Sequence, residues 1–192
     1  MINRSEMKQT AKAQINGKIG ILFVCQLVIS LISGIAAPVF LAGFLIAPSF
    51  EISLIMIYIA LTQNVHPSID DIFKGFSLFG KALWLKIITG FFTFAWSLLF
   101  IIPGIVKGYA YMMAPYILAD HPEMTAREAL RESKRITDGH KWELFVLSLS
   151  FIGWFLLIPL TLGLIVIWLA PYTHATLANY YIAMKDDKPM QM

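Results

Sequence analysis

The chain has 192 residues, 58% of them hydrophobic and only 14% charged, with a formal net charge of +3. A mean hydropathy of +0.70 excludes a soluble globular domain and predicts an integral membrane protein. The one cysteine, Cys25, excludes an intrachain disulfide and a thiolate metal cluster and is read as a packed thiol.

Uncharged stretches run from Ile19 to Phe50, Ile52 to Ile69, Ile87 to Val106 and Leu144 to Met184. A helix needs about 20 apolar residues to cross the hydrocarbon, so the first and last are long enough for two passes each. Six spans are predicted: Ile19 to Ala37, Phe40 to Leu61, Ala82 to Ile102, Ile105 to Ala119, Leu144 to Ile158 and Leu164 to Ala183. The first apolar segment exceeds the length of a signal-peptide core and no convincing small-residue cleavage site follows it, so it is expected to be retained as an anchor.

Basic residues give the orientation. Arg4, Lys8, Lys12 and Lys18 precede the first span, and Lys74, Lys81 and Lys86 lie between the second and third. Arg127, Arg131, Lys134, Arg135 and Lys141 lie between the fourth and fifth, with Lys185 and Lys188 at the end. Only Lys107 falls on the other side. The positive-inside rule then predicts a cell-membrane protein with both termini in the cytoplasm. The sequence pI of about 9.0 reflects that bias, and nucleic acid is not expected as a partner.

The stretch Ile102-Pro103 and Ala114-Pro115-Tyr116 returns 56 residues later as Ile158-Pro159 and Ala170-Pro171-Tyr172. Ahead of each copy stands a capping-box-like start, Ser68-Ile69-Asp70-Asp71 or Thr125-Ala126-Arg127-Glu128. Ile69, Ile72, Phe73, Phe76 and Phe79 then follow at helical spacing, matched by Ala126, Ala129, Leu130, Ser133 and Ile136. Gly80-Lys81 and Gly139-His140-Lys141 are expected to end these helices. A more worn copy opens the chain, with Asn3 as cap, Met7, Ala11 and Ile15 on one face, Gly17, then Pro38 and Ala47-Pro48. The predicted fold is therefore all-α: an integral membrane bundle of about six transmembrane helices in three repeated units. Each unit is an amphipathic cytoplasmic helix followed by a proline-broken helical hairpin. The units cover about 1–64, 65–120 and 121–184 of a single membrane domain, residues 185–192 forming a cytoplasmic tail. Copies that each cross twice share one orientation and would be related by an axis along the membrane normal.

The phenylalanine-rich helix is read as lying in the headgroup layer, the alternative being packing over the bundle. The helix at 125–137 has a shallow face of Ala and Ser suited to protein contact. Its basic residues Arg127, Arg131, Lys134 and Arg135 are balanced by Glu123, Glu128, Glu132 and Asp138, so the sequence does not single it out as a strong anionic-lipid site. Pro48, Pro115 and Pro171 are candidate helix breaks, since a proline inside a span leaves a backbone carbonyl that neighbours, water or a cavity must satisfy. They are read either as reused packing kinks or as a ring of broken helices around a site. Glu51 and Lys107 are charges at costly depth and form the candidate intramembrane polar site, Glu51 being an ion or proton ligand or the partner of Lys107. His174 is read as a packing residue. No catalytic motif or metal-ligand spacing is found, and Asp120, His121, Glu123 and His140 are read as solubilising loop residues. Neither a catalytic residue nor a cofactor is expected.

Ile101-Ile102-Pro103-Gly104-Ile105, the run from Met113 to Asp120, Gly139-His140-Lys141-Trp142 and the run from Leu149 to Trp154 carry a resemblance over essentially the whole chain. The chain resembles small multi-pass bacterial membrane proteins, mainly Gram-positive, of unknown function. Pro115 followed by the Glu128 to Ser133 segment and a glycine is distantly similar to the membrane domain of some glycerophosphodiester phosphodiesterases, with no phosphodiesterase domain present. The resemblance implies fold and localisation and little about activity. The expected function is a non-enzymatic envelope, assembly or accessory protein whose partners are the lipid bilayer and another membrane protein or a second copy of itself. The alternative is a small transporter or substrate-binding membrane subunit for a small solute or lipid, which would show a polar cavity converging on Glu51, Lys107, Gln26, Pro115 and Pro171.

Overall fold

The computed structural model of the chain describes residues 3–36, 40–99, 101–161 and 163–188, with the side chains at 34–36, 40–42, 99 and 101 left out. The predicted turn at Pro38 and the last residues of the tail lie outside the described residues. The described chain is all-helical.

Asn3 caps α1 (Arg4–Ile15), its Oδ1 accepting the N–H groups of Ser5 and Glu6. Gly17 then takes the left-handed φ of 75°, open to glycine because it lacks a Cβ. The chain turns through 89° into α2 (Ile19–Ala36). α3 (Phe40–Thr62) runs back with Pro48 inside it. Ser68 opens the next element with a capping box closed by Asp71. The Asp71 carboxylate accepts the Ser68 N–H at 2.8 Å and pairs with Lys74 at 2.7 Å.

That element, Ile69–Leu78, is a 3-10 helix rather than the α-helix the sequence spacing implied. With three residues per turn it buries Ile72, Gly75 and Leu78, whereas Ile69 and Phe73 of the predicted α-helical stripe remain exposed. It passes at Phe79 directly into α4 (Phe79–Leu99), so Gly80 lies within a helix instead of ending one. α5 (Ile101–Tyr111) already contains Pro103 in its first turn, where a missing N–H costs no intrahelical bond. Pro103 and Gly104, where the predicted third and fourth spans meet, therefore lie within a helix and form no turn. After a short turn at Met112 and Met113 comes α6 (Ala114–Asp120), with Pro115 near its start. α7 (Ala126–Ile136) has the second capping box, Thr125 with Glu128. Gly139, at φ 86°, leads into α8 (Lys141–Phe155), the short α9 (Leu157–Leu160) and α10 (Val166–Asp187), which contains Pro171.

Three stretches among the described residues are long and apolar enough to cross a membrane: Gly43–Thr62, Ile69–Leu98 and Lys141–Leu160. The bent pair of α1 and α2 makes a fourth if taken as one span. Large apolar side chains on α4, α5 and α9 stand outward, Leu98 at 78% and Leu160 at 77% exposure. Such surface is stable against hydrocarbon and not against water. These features are those of a membrane protein.

Close packing joins the short capped helices to the proline-bearing ones. The 3-10 helix lies on α3 just past Pro48, with the Gly75 N–H donating to Ser53 Oγ at 2.8 Å. A Cβ on Gly75 would meet the Ser49 carbonyl oxygen at 2.1 Å. Phe76 packs edge-on against Phe50 of α3, ring centres 4.9 Å apart. α7 lies on the α5–α6 break through buried Ala129, Leu130, Ser133 and Ile136. α1 lies on α10, where Gln14 and Asn179 exchange two hydrogen bonds of 2.6 and 3.2 Å. There the Lys12 ammonium sits 5.6 Å from the ring centre of Tyr172, next to Pro171. Small residues at such contacts suit membrane packing, where close backbone approach replaces the hydrophobic drive of water.

Candidate functional site

Glu51 follows Pro48 by one helical turn on α3, and its Oε2 accepts Lys86 Nζ of α4 at 2.7 Å. The pair stands at a cavity of about 250 Å³ between α3, α4 and the α5–α6 break, which Pro48, Thr89, Tyr111 and Pro115 also line. Thr89 Oγ1 is buried there without a hydrogen-bond partner among the described residues. The side chains of Lys86 and Glu51 keep 55% and 40% of their exposure, so this is an accessible ion pair and not a sealed one.

The structure brings Glu51, Pro48 and Pro115 together and leaves the other proposed members elsewhere. The Lys107 ammonium lies over the Trp96 ring, 4.9 Å from its centre, where a cation on an aromatic face is favourable without any carboxylate. Lys86, which the sequence reading counted only as a cytoplasmic cation, is the partner of Glu51. Pro171 and Gln26 do not line the cavity. His174 stacks on Tyr58, with ring centres 5.2 Å apart and 13° between planes, which accords with a packing role.

The three prolines also differ. Pro48 and Pro171 lie inside continuous helices, whereas at Pro115 the helix is divided into α5 and α6. At that division the Ala110 carbonyl accepts the Ser133 hydroxyl at 2.8 Å and the Thr137 hydroxyl at 3.4 Å, both buried. A backbone oxygen at a break is therefore satisfied by α7 rather than by solvent or a ligand. No spacing in α5 or α6 announces this bond; the signal is a Ser and a Thr four residues apart on the Ala-rich face of α7.

At the end of the bundle that carries the loops before and after α7, the loop residues are mutually paired. Asp120 Oδ2 accepts Tyr181 OH at 2.8 Å and Lys185 Nζ at 2.6 Å. His121 Nδ1 stands 3.0 Å from Glu123 Oε1, and the Glu123 carboxyl is held below its usual range by its own backbone N–H and then by His121. His140 bridges Glu143 at 3.2 Å and Asp187 at 3.1 Å, tying α8 to the end of α10. Among the described residues no group of three or more His, Cys, Asp or Glu has the arrangement to hold a metal ion. The chemistry this end offers is fastening of helix termini by charge-assisted hydrogen bonds.

Comparisons with curated proteins and with solved structures found no match. The stretch from residue 98 to residue 188, which takes in α5 through α10, is similar to an uncharacterised family described as a protein of unknown function, DUF975.

Proposed function

We propose that the chain is a non-enzymatic multi-pass protein of the cell membrane with an accessory or assembly role. In this reading it has six spans in three parallel units, with short capped helices and both termini on the cytoplasmic side. The bacterial membrane family that the sequence resembles fits the same reading.

One observation carries it. Each capped helix sits on the proline-bearing segment of a different unit: the 3-10 helix at Pro48, α7 at Pro115 and α1 at Pro171. First rests on third, second on first and third on second, which is the relation expected of three repeats closed into a ring. The short helices thereby become joints on the proline-bearing segments, while Pro48 and Pro115 also face the cavity at Glu51.

Purification of the full chain from native membranes in native lipid, followed by mass spectrometry, tests the role. The account expects a membrane protein partner or a defined self-oligomer at stoichiometric amount. A monomer with no partner and no self-association contradicts it.

The second reading, a small-solute binding subunit, is favoured by the cavity at Glu51 and Lys86 with the unpartnered Thr89 hydroxyl. It predicts that a small molecule co-purifies with the native chain and is lost in Glu51→Gln. Its absence from both samples rejects this alternative.

A further inference from the structure

Of the acids that balance the basic residues of α7 in the sequence, none forms an ion pair with Arg127, Arg131 or Lys134 among the described residues. Glu128 is folded back on its cap, with Oε2 accepting the Thr125 N–H and hydroxyl, both at 2.8 Å. Glu132 binds Arg135 through both carboxylate oxygens. Glu123 is on His121 and Asp138 on Lys141. Arg127, Arg131 and Lys134 are left exposed, and at spacings of four and three residues they share one face of the helix. Neither Arg127 nor Arg131 has an ion pair or hydrogen bond among the described residues, and Lys134 rests 5.2 Å from the centre of the Tyr111 ring.

That cationic face borders a groove of about 580 Å³ whose opposite wall is α4, with Trp84, Phe91 and Phe92. Phe91 is 67% and Trp84 48% exposed. No carboxylate lines the groove. It therefore has a wall of aromatic surface on a segment apolar enough to span the membrane, and a rim of cations on the neighbouring helix. The rim holds two guanidinium forks of the shape that pairs with phosphate oxygens.

We propose that the groove between α4 and α7 binds one anionic phospholipid, its acyl chains along Trp84, Phe91 and Phe92 and its phosphate at Arg127, Arg131 and Lys134. Hydrocarbon and phosphate in a single molecule satisfy both walls. An acidic headgroup keeps its net charge, whereas a choline headgroup would bring a cation against three others. The inference rests on the membrane placement above and not on the accessory role, which is read out by partner capture in a separate sample.

The test uses the full chain in vesicles of equimolar phosphatidylglycerol and phosphatidylcholine with matched acyl chains, extracted gently and weighed by native mass spectrometry. The retained lipid should be phosphatidylglycerol by at least about tenfold. A surface cation contributes about a fivefold preference for anionic lipid, so Arg131→Gln alone should lower the ratio about fivefold. The triple change R127Q, R131Q and K134Q should bring it near one. Lys18→Gln, in the turn before α2 and away from the groove, should leave it unchanged. Equal retention of the two lipids by the unaltered chain overturns the proposal, as does undiminished preference in Arg131→Gln or an equal loss in Lys18→Gln. Soluble glycerol phosphate displacing the lipid at concentrations comparable to the lipid itself also overturns it, since the acyl wall would then contribute nothing.

Discussion

Two contacts solve the same problem with opposite chemistry. At α3 the 3-10 helix brings a glycine so close that backbone meets backbone, and the Gly75 N–H donates to a side chain on the proline helix, Ser53 Oγ. At the α5–α6 break the direction is reversed: the capped helix α7 supplies the hydroxyl of Ser133 and the broken helix supplies the carbonyl of Ala110. The first contact depends on absent volume, the second on a hydrogen bond. On the continuous α3 a glycine seats the neighbour, and where the helix is divided at α5–α6 a donor must also satisfy the freed oxygen.

The comparison predicts different sensitivities. Gly75→Val should be the most damaging change, because its Cβ would meet backbone at Ser49 that has nowhere to move. Overpacking of this kind costs about 3 kcal/mol, read as a loss of thermal midpoint in detergent or as failure to accumulate. Wild-type stability in Gly75→Val would mean the contact is not closed.

Ser133→Ala should come next, at about 1 to 3 kcal/mol for an unsatisfied buried carbonyl. Thr137 stands second in line for the same oxygen, so Ser133→Ala with Thr137→Ala should cost more than the sum of the two single changes. Simple additivity in that double-mutant cycle would remove Thr137 from the account.

Thr125→Ala takes the cap from α7 and should cost about 1 kcal/mol, with faster amide exchange confined to the first turn of that helix. Acid should have a related and milder effect. The Thr125 N–H and then its hydroxyl hold the Glu128 carboxyl below the usual range. A carboxyl depressed on folding contributes stability above its unfolded pKa and loses it as pH falls through the folded one. The protection of amides at the start of α7, relative to their intrinsic exchange at each pH, should thus fall only below the ordinary carboxylate range and stay flat from there to neutrality. The smallest effect is expected for Lys86→Gln, since an accessible ion pair contributes on the order of 1 kcal/mol or less; a large loss would show that the pair at the cavity is a structural joint.

The all-helical class and the two capping boxes were legible in the sequence because they depend on residues close in the chain. Ser68 with Asp71 and Thr125 with Glu128 close as their spacing implied. Geometry set by contact was not legible. The 3-10 winding that buries Ile72, Gly75 and Leu78 is imposed by the fit to α3, and a 3.6-residue period misplaces its face. The partner of Glu51 is decided by how α4 crosses α3, and Lys86 has no spacing to Glu51 that a sequence could display. The charge balance of α7 was read correctly as a sum and incorrectly as a surface, because four separate local pairings remove the acids and leave one face cationic.

The central claim is that α1 closes the ring on α10 as the other two capped helices close on α3 and on the α5–α6 break. It is tested most directly by cross-linking Gln14→Cys to Asn179→Cys with a short bifunctional thiol reagent, in a Cys25→Ala background in native membranes. The 2.6 and 3.2 Å hydrogen bonds between these two side chains place them in contact across nearly the whole length of the chain. The account predicts an intrachain cross-link that forms readily. Failure to cross-link in a chain that still folds would contradict the closed ring and leave α1 outside it.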